Sequence, residues 1–333
     1  MDLVTGGTGI VGVHVLRELL RAGRPVRALH RLGSDRGVVE RVFAHYGDAG
    51  LADGIEWVEG DLRDAVALAD AMQGVGHVYH AAALVSFDPR KARALHAVNA
   101  EGTARVVDAA LEAGVKRLCH VSSTAAIGTA PEGVARDESL PWADDGAASD
   151  YARSKHLAEL EVHRGIAEGL DAFMVNPAVI IGPGPGSRSS MGIVRRLQRG
   201  TRWYTRGSNG FVDARDVAAC MVRLMERAST GERYLLVGEN AGYRRLFTLL
   251  SEGFGHPPPH WEAKPWMLRL ARWAEAVRTT LTGAEPLVTR ATMGSALGQR
   301  AYSSAKVAVL LGYRFRTLEE SVANAVSFAK ASP

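Results

Sequence analysis

The first twelve residues constrain this chain more than any other stretch. They run Leu3-Val4-Thr5-Gly6-Gly7-Thr8-Gly9-Ile10-Val11-Gly12, an apolar strand leading into glycines three apart and then into an apolar helix pattern. Gly6, Gly9 and Gly12 lack a Cβ, so one backbone can pass close to another in a turn too tight for other residues. Such a turn aims the first amide N–H groups of the following helix outward, where the helix dipole favours a pyrophosphate. Thr5, Gly6, Thr8, Gly9, Ile10, Val11 and Gly12 are therefore the expected dinucleotide-contacting positions.

The rest of the first half repeats the alternation. Strand patterns fall at 3–5, 25–29, 55–59, 76–80, 117–122 and 171–176. Helix patterns fall at 11–22, 38–49, 65–72, 99–113 and from about 151 to 167. This order predicts an α/β protein with a Rossmann-type, doubly wound parallel sheet covered by helices on both faces. After residue 176 the pattern changes. A loop at Pro183-Gly184-Pro185-Gly186-Ser187-Arg188 precedes a basic helix at 193–199, a helix at 216–227 and a strand at 234–237. The break Pro257-Pro258-Pro259 leads to helices at 266–281 and 318–331. The expected division is a dinucleotide-binding domain of residues 1–176 plus about 211–238, with about 177–210 and 239–333 forming a smaller C-terminal substrate-binding lobe over the carboxyl ends of the strands.

Charge excludes some partners. Forty lysines and arginines face 36 acids over 333 residues, with no basic tail, so nucleic acid is not an expected partner. No run approaches the ~18 apolar residues of a membrane span, and no leader precedes the first strand, so a soluble, cytoplasmic protein is expected. Cys119 and Cys220 stand far apart in apolar surroundings and read as buried thiols in a reducing compartment, and no metal site is expected. Trp266-Met267-Leu268-Arg269-Leu270-Ala271-Arg272-Trp273 is amphipathic and basic enough to lie on a membrane surface. Packing on the α/β core is its expected arrangement, with no membrane partner.

The end of the second strand discriminates between nicotinamide cofactors. An acid there suits the ribose 2′-hydroxyl of NAD, and an arginine suits the 2′-phosphate of NADP. Here His30 fills the slot, Arg31 follows and Arg36 lies on the next loop, which favours NADP(H) and leaves NAD(H) possible. Asp61-Leu62 follows the third strand, placed either to meet the adenine or to cap the next helix. The small residues of His80-Ala81-Ala82-Ala83 let the backbone run close to the cofactor.

Further motifs follow in order: Val98-Asn99-Ala100-Glu101-Gly102-Thr103, Val121-Ser122-Ser123, Tyr151-Ala152-Arg153-Ser154-Lys155 and Asn176-Pro177. With the glycine turn, Asp61-Leu62 and His80-Ala81-Ala82, they resemble the extended short-chain dehydrogenase/reductase family over most of the chain. Residues 175–184 and 300–313 are most similar to its dihydroflavonol-4-reductase and 3β-hydroxysteroid dehydrogenase relatives. The resemblance implies a Ser-Tyr-Lys site of Ser123, Tyr151 and Lys155. Asn99 would support a water relay, and Asn176, Pro177 and Val179 would border the nicotinamide. It also implies a homodimer through the helices of Asn99 and Tyr151. Ser123-Thr124-Ala125 stands where the family's sugar-nucleotide dehydratases carry Thr-Asp-Glu, and Ile127-Gly128 where its epimerases carry Tyr-Gly.

The chemistry follows from the side chains. Tyr151 would exchange a proton with the substrate oxygen, and a phenol working at neutral pH needs its ordinary value near 10 lowered. A cation ~4 Å away supplies roughly 4 kcal/mol at an effective dielectric near 20, and Lys155 lies on the same helix face. Strand alternation turns Ser123 opposite to Ser122 and Thr124, so Ser123 would fix the substrate. Phe87 and Met191, with their neighbours at 86–89 and 186–191, are candidate substrate contacts, and Trp203, Tyr204 and Phe211 candidate pocket walls. The expected activity is NADP(H)-dependent interconversion of a ketone or aldehyde with an alcohol. The alternatives are a sugar-nucleotide epimerase with tightly bound NAD and a non-catalytic redox sensor.

Overall fold

The structure, a computed structural model, describes residues 1–131, 133–144, 146, 148–186, 190–286 and 288–331. Its strands in chain order are β1 (Asp2–Thr5), β2 (Val26–His30), β3 (Ile55–Glu59), β4 (His77–His80), β5 (Arg117–Val121) and β6 (Ala172–Pro177). They continue with β7 (Val179–Ile181), β8 (Trp203–Tyr204), β9 (Ser208–Asp213), β10 (Arg233–Leu236), β11 (Glu239–Gly242) and β12 (Trp261–Glu262).

Seven strands form one sheet in the order β10-β6-β5-β4-β1-β2-β3, with every neighbouring pair parallel. The chain winds outward from β1 in both directions, as the sequence predicts, and leaves a crevice at the switch between β1 and β4. The register sets Leu29, Thr5, His80 and His120 side by side. The strands' carboxyl ends therefore deliver His30, Gly6, Ala81 and Ser122 to one edge.

The strands read as continuous apolar runs because both faces are covered. Successive residues serve opposite sides. Val4, Ala28, Tyr79, Cys119, Phe173 and Val175 join the cluster built with helices Ile10–Arg21 and Ala214–Arg227. Leu3, Leu29, Val78, Leu118, Ala172 and Met174 join the cluster built with helices Ala65–Met72, Gly102–Glu112 and Asp150–Ala167. Cys119 and Cys220 are buried thiols.

The second half adds strands that the sequence pattern hides. β7 pairs parallel with β9, and β9 antiparallel with β11, in a three-stranded sheet, while β8 and β12 form a short parallel pair. These strands are too short, or too rich in glycine and asparagine, to show a period. Helices Tyr243–Gly253, Arg290–Leu297 and Ala305–Leu311 went unpredicted too. The last helix, Leu318–Ala331, packs on Tyr243–Gly253. Buried Asp216 anchors the return of the chain, accepting from Tyr313 Oη and from the Arg316 N–H at 2.8 Å each.

Some boundaries differ from expectation. The helix expected over 38–49 is Gly37–His45, because Gly47 adopts φ 76° and a 3-10 turn, Ala49–Gly54, follows. The helix expected over 99–113 is Gly102–Glu112, entered through a π-helical turn at His96–Glu101. The basic helix expected at 193–199 is Ser190–Leu197. The helix Pro265–Thr282 does not bury its apolar stripe on the core as expected. Its buried positions are Glu275 and Thr279, and its tryptophans are exposed.

The glycine turn joins the two halves of the crevice. Gly6 has φ 72°, and a Cβ there would lie 2.7 Å from both Cα and N of Ala82. A Cβ on Gly12 would lie 2.1 Å from Gly6 O. Both are collisions with backbone, which cannot swing aside. Gly6→Ala is expected to cost at least ~2 kcal/mol in urea denaturation, from strain and displacement of the 81–83 segment. A loss under about 0.5 kcal/mol would show that this crossing is not tight.

Candidate active site

At the sheet edge, Gly9 begins the first helix with no side chain capping it, so the helix's leading N–H groups face the crevice. Thr8, Gly9 and Ile10 are partly open there, and Gly184 packs against Ile10 from the loop after β7. Gly184 was missed by sequence reasoning, since nothing in a Pro-Gly loop says which helix it will touch. The cradle's glycines and uncapped helix end fit a dinucleotide pyrophosphate.

Thr5 and His80 support this edge from within. The Ala82 N–H donates to Thr5 Oγ1 at 3.2 Å, and Thr5 Oγ1 lies 2.7 Å from His80 Nδ1. His80 Nε2 lies 3.0 Å from Thr103 Oγ1, which donates to Asn99 O at 2.6 Å. Every donor finds an acceptor if His80 is neutral and protonated at Nε2. Burial, helped by the charge of Lys155, lowers its pKa to about 3. The side chains of Thr5 and His80 are thus consumed in framework bonds, and both residues offer a ligand only main-chain atoms. The same correction applies to Val11, Leu62 and Pro177, whose side chains are buried.

At the outer end of the crevice, His30 packs edge-on against Trp57 with ring centroids 5.6 Å apart. The Arg36 guanidinium lies 5.7 Å from the same indole. Arg31 and Arg36 are exposed, and among the described residues neither guanidinium has a hydrogen bond or ion pair. Asp61 is held by Arg63 at 2.9 and 3.0 Å, which brings its pKa to about 2, with Arg31 adding a smaller pull. The capping alternative for Asp61 is overturned. Asp64 caps that helix, accepting from the N–H groups of Val66 and Ala67.

The inner end holds the expected trio. Ser123 leaves β5 partly open while Ser122 and Thr124 are buried, as alternation requires. Its Oγ accepts from the Ala125 N–H at 3.1 Å and lies near enough to the Tyr151 hydroxyl to favour its charged form. Phe87, exposed at the same opening, meets Tyr151 edge-on at 5.7 Å. Ser149 caps helix Asp150–Ala167, which sets Tyr151, Lys155 and Glu159 on one face.

Lys155 is fully buried and donates to Val121 O at 2.7 Å. Burial lowers its pKa to about 8, with Glu159 opposing. Glu159 went unnoticed in the sequence, although its spacing from Lys155 would have revealed it. It accepts from Asn176 Nδ2 at 2.6 Å and pairs with Arg233 at 3.5 Å. One expectation fails here. Burial raises the Tyr151 pKa and only the Ser123 hydrogen bond opposes it. Lys155, turned to the Val121 carbonyl, does not lower it in this state.

Other expectations are corrected by burial. Asn99 lies inside the π-helical turn, and its amide is bonded within the protein. Its Oδ1 accepts from the Leu84 N–H at 2.7 Å, and its Nδ2 donates to Leu84 O and Ser154 Oγ at 2.9 Å each. The Asn176 amide is likewise spent on Ser123 O, at 3.0 Å, and on Glu159. Met191 and Phe211 are core residues, 1% exposed, so neither touches a ligand in this conformation. Residues 187–189 of the expected substrate loop lie outside the described residues. Trp203 is exposed against Trp261, 5.1 Å away, and Tyr204 lies under Arg244. Ala81, Ala82 and Val179 are partly open at the edge.

Because the folded state lowers the Lys155 pKa from 10.5 to about 8, the unfolded chain binds more protons between those values. Stability attributable to this residue therefore rises with pH across that window. Against Lys155→Met, wild type is expected to gain roughly 1–3 kcal/mol between pH 7.5 and 10 in urea denaturation. A constant difference would mean that the lysine titrates normally.

Residues 3–238 match the NAD dependent epimerase/dehydratase family. The chain is 36% identical over 269 residues to sterol demethylase protein B of Methylococcus capsulatus, covering 80% of this chain and 78% of that protein. It is 32% identical to a Synechocystis sp. protein provisionally named dihydroflavonol 4-reductase, covering 97% and 92% of the two chains. The crystal structure of gox2253 superposes with a TM-score of 0.83 at 33% identity, over 99% of this chain and 98% of that one.

Proposed function

The chain belongs to the NAD dependent epimerase/dehydratase family, and from that premise we propose that it is an NADP(H)-dependent carbonyl reductase or alcohol dehydrogenase. Its substrate would be a small to medium, largely apolar molecule. The observation that carries this reading is the placing together of Ser123 and Tyr151 at the crevice opening, with buried Lys155 one turn behind on the same helix face. Glu159, Arg233 and Asn176 hold the floor beneath.

A bound nicotinamide would supply the hydride. Ser123 and Tyr151 hold the substrate oxygen between their hydroxyls. Tyr151 donates its proton as alkoxide character develops and recovers one in the reverse direction. At neutral pH Tyr151 meets the substrate as the protonated phenol, the form that can donate. Lys155 stays mostly charged at neutral pH and reaches the Val121 carbonyl, at the level where the nicotinamide ribose would lie. Phe87 forms an apolar wall beside the phenol. Residues 177–210 and 239–333 would shape the substrate lobe, and a homodimer through helices Gly102–Glu112 and Asp150–Ala167 is the proposed assembly.

Preference for the 2′-phosphate rests on Arg31 and Arg36. Both are exposed and unpaired beside the end of β2, and no acid occupies the His30 slot. The dihydroflavonol 4-reductase name of one relative, covering 97% of this chain, supports a reductase.

Titrating NADPH and NADH fluorescence is expected to show at least tenfold tighter binding of NADPH. Arg31→Ala with Arg36→Ala should erase most of that preference while leaving NADH unchanged, since each charged hydrogen bond contributes about 1.5–3 kcal/mol. On a ketone panel, Tyr151→Phe should lower kcat by about 10²–10⁴ with little change in NADPH affinity. Cofactor that co-purifies and is never consumed would replace this reading with the epimerase. Binding without turnover, indifferent to Tyr151→Phe, would replace it with the sensor.

A further inference from the structure

Helix Pro265–Thr282 is built inside out. The residues it buries are Glu275, paired with Arg278, and Thr279. The face it shows to solvent carries Trp266 (58% exposed), Leu270 (59%), Trp273 (70%), Val277 (44%) and Leu281 (80%). Spacings of four, three, four and four place these five side chains in one stripe, about 22 Å long at 1.5 Å per residue. A soluble protein gains nothing by holding two indoles in water, and a contiguous apolar stripe of this size marks a binding surface. Trp203 and Trp261 are exposed as well, so four of the chain's six tryptophans are exposed on or just outside this helix and its leading strand pair.

The charges around the stripe select the occupant. From residue 263 to 284 the sole acid is Glu275, which is buried and paired. Among the described residues of 261–284 the charges without an ion pair are Glu262, Lys264, Arg269 and Arg272, all exposed and three of the four positive, and Arg202 lies over the Trp261 ring. Two copies of this face brought together would set like charges against each other. An anionic surface with an apolar interior matches both features, the arginines meeting phosphate and the indoles sinking to the level of the headgroups. The helix does not span. Among the described residues none is long and apolar enough to cross a bilayer.

We infer that helix Pro265–Thr282 is a membrane-surface docking element that lays its Trp266–Leu281 stripe on an anionic bilayer. The docked helix stays coupled to the crevice opening. Arg90 Nη2 donates to Ala284 O at 2.8 Å, Lys91 pairs with Glu285, and both cations follow directly on the Phe87 segment that meets Tyr151. Docking itself does not depend on which reaction the crevice carries out.

The test is co-sedimentation of the full chain with phosphatidylcholine vesicles, with and without roughly one third phosphatidylglycerol, together with tryptophan emission. The expected result is pelleting with the anionic vesicles, a shift of emission to shorter wavelength, and release at high salt. Trp266→Ser with Trp273→Ser, and separately Arg269→Glu with Arg272→Glu, should each weaken partitioning at least tenfold. Both variants alter only exposed side chains, so their thermal transitions should match wild type. The inference is overturned if the chain pellets with neither vesicle, or if either double variant pellets as wild type does. A wild-type dimer that the tryptophan variant dissociates, without vesicle binding, would likewise overturn it in favour of a second copy as the occupant.

Discussion

The crossing of Gly6 over Ala82 is the contact on which the rest of this structure depends. It lets the turn after β1 lie against the segment after β4, and those strands border the switch where the sheet's winding reverses. The chain of hydrogen bonds from the Ala82 N–H through Thr5, His80 and Thr103 to the Asn99 carbonyl runs directly below it. Backbone proximity and side-chain satisfaction thus reinforce each other. A larger residue at position 6 would lift the Ala82 segment, lengthen the bond to Thr5 and leave buried polar groups without partners, each costing about 1–3 kcal/mol. The same chain reaches the π-helical turn of Asn99, whose amide spans Leu84 and Ser154. One crowded crossing therefore helps position the glycine turn, the crevice wall and helix Asp150–Ala167 together.

The ionisable groups of the inner site are governed by burial more than by mutual attraction. Desolvation is the leading cause for Tyr151, Lys155, Glu159, His80 and His120 alike. It keeps the phenol protonated, both histidines neutral, and the lysine closer to losing its proton than in water. Among the described residues neither ring nitrogen of His120 has a hydrogen-bond partner, and its ring centroid lies 5.1 Å from that of His80. The neutral pair can sit behind Lys155 without adding positive charge to a place that already holds a buried ammonium. Glu159 supplies the compensating negative charge from one turn away. A lysine buried without it would have a still lower pKa.

The main sheet was legible because burial on both faces turns each strand into an unbroken apolar run between punctuating glycines. The glycine turn and the Ser123, Tyr151 and Lys155 spacing were legible because close approach and shared helix faces are local properties. What could not be read were features set by partners distant in sequence. Asn99 looks like a helix start until Leu84 and Ser154 take its amide, and nothing local says that Ser123 and Glu159 will hold the amide of Asn176. Met191 and Phe211 look like pocket walls, yet the core has room for them. Helix Pro265–Thr282 makes the point most sharply. Its period of four and three is visible in the sequence, and periodicity reports that one face is apolar without saying what covers it. The usual answer is the protein's own core. Here the fully buried positions are Glu275 and Thr279, with Met267 and Leu268 only partly covered, and the stripe from Trp266 to Leu281 faces solvent.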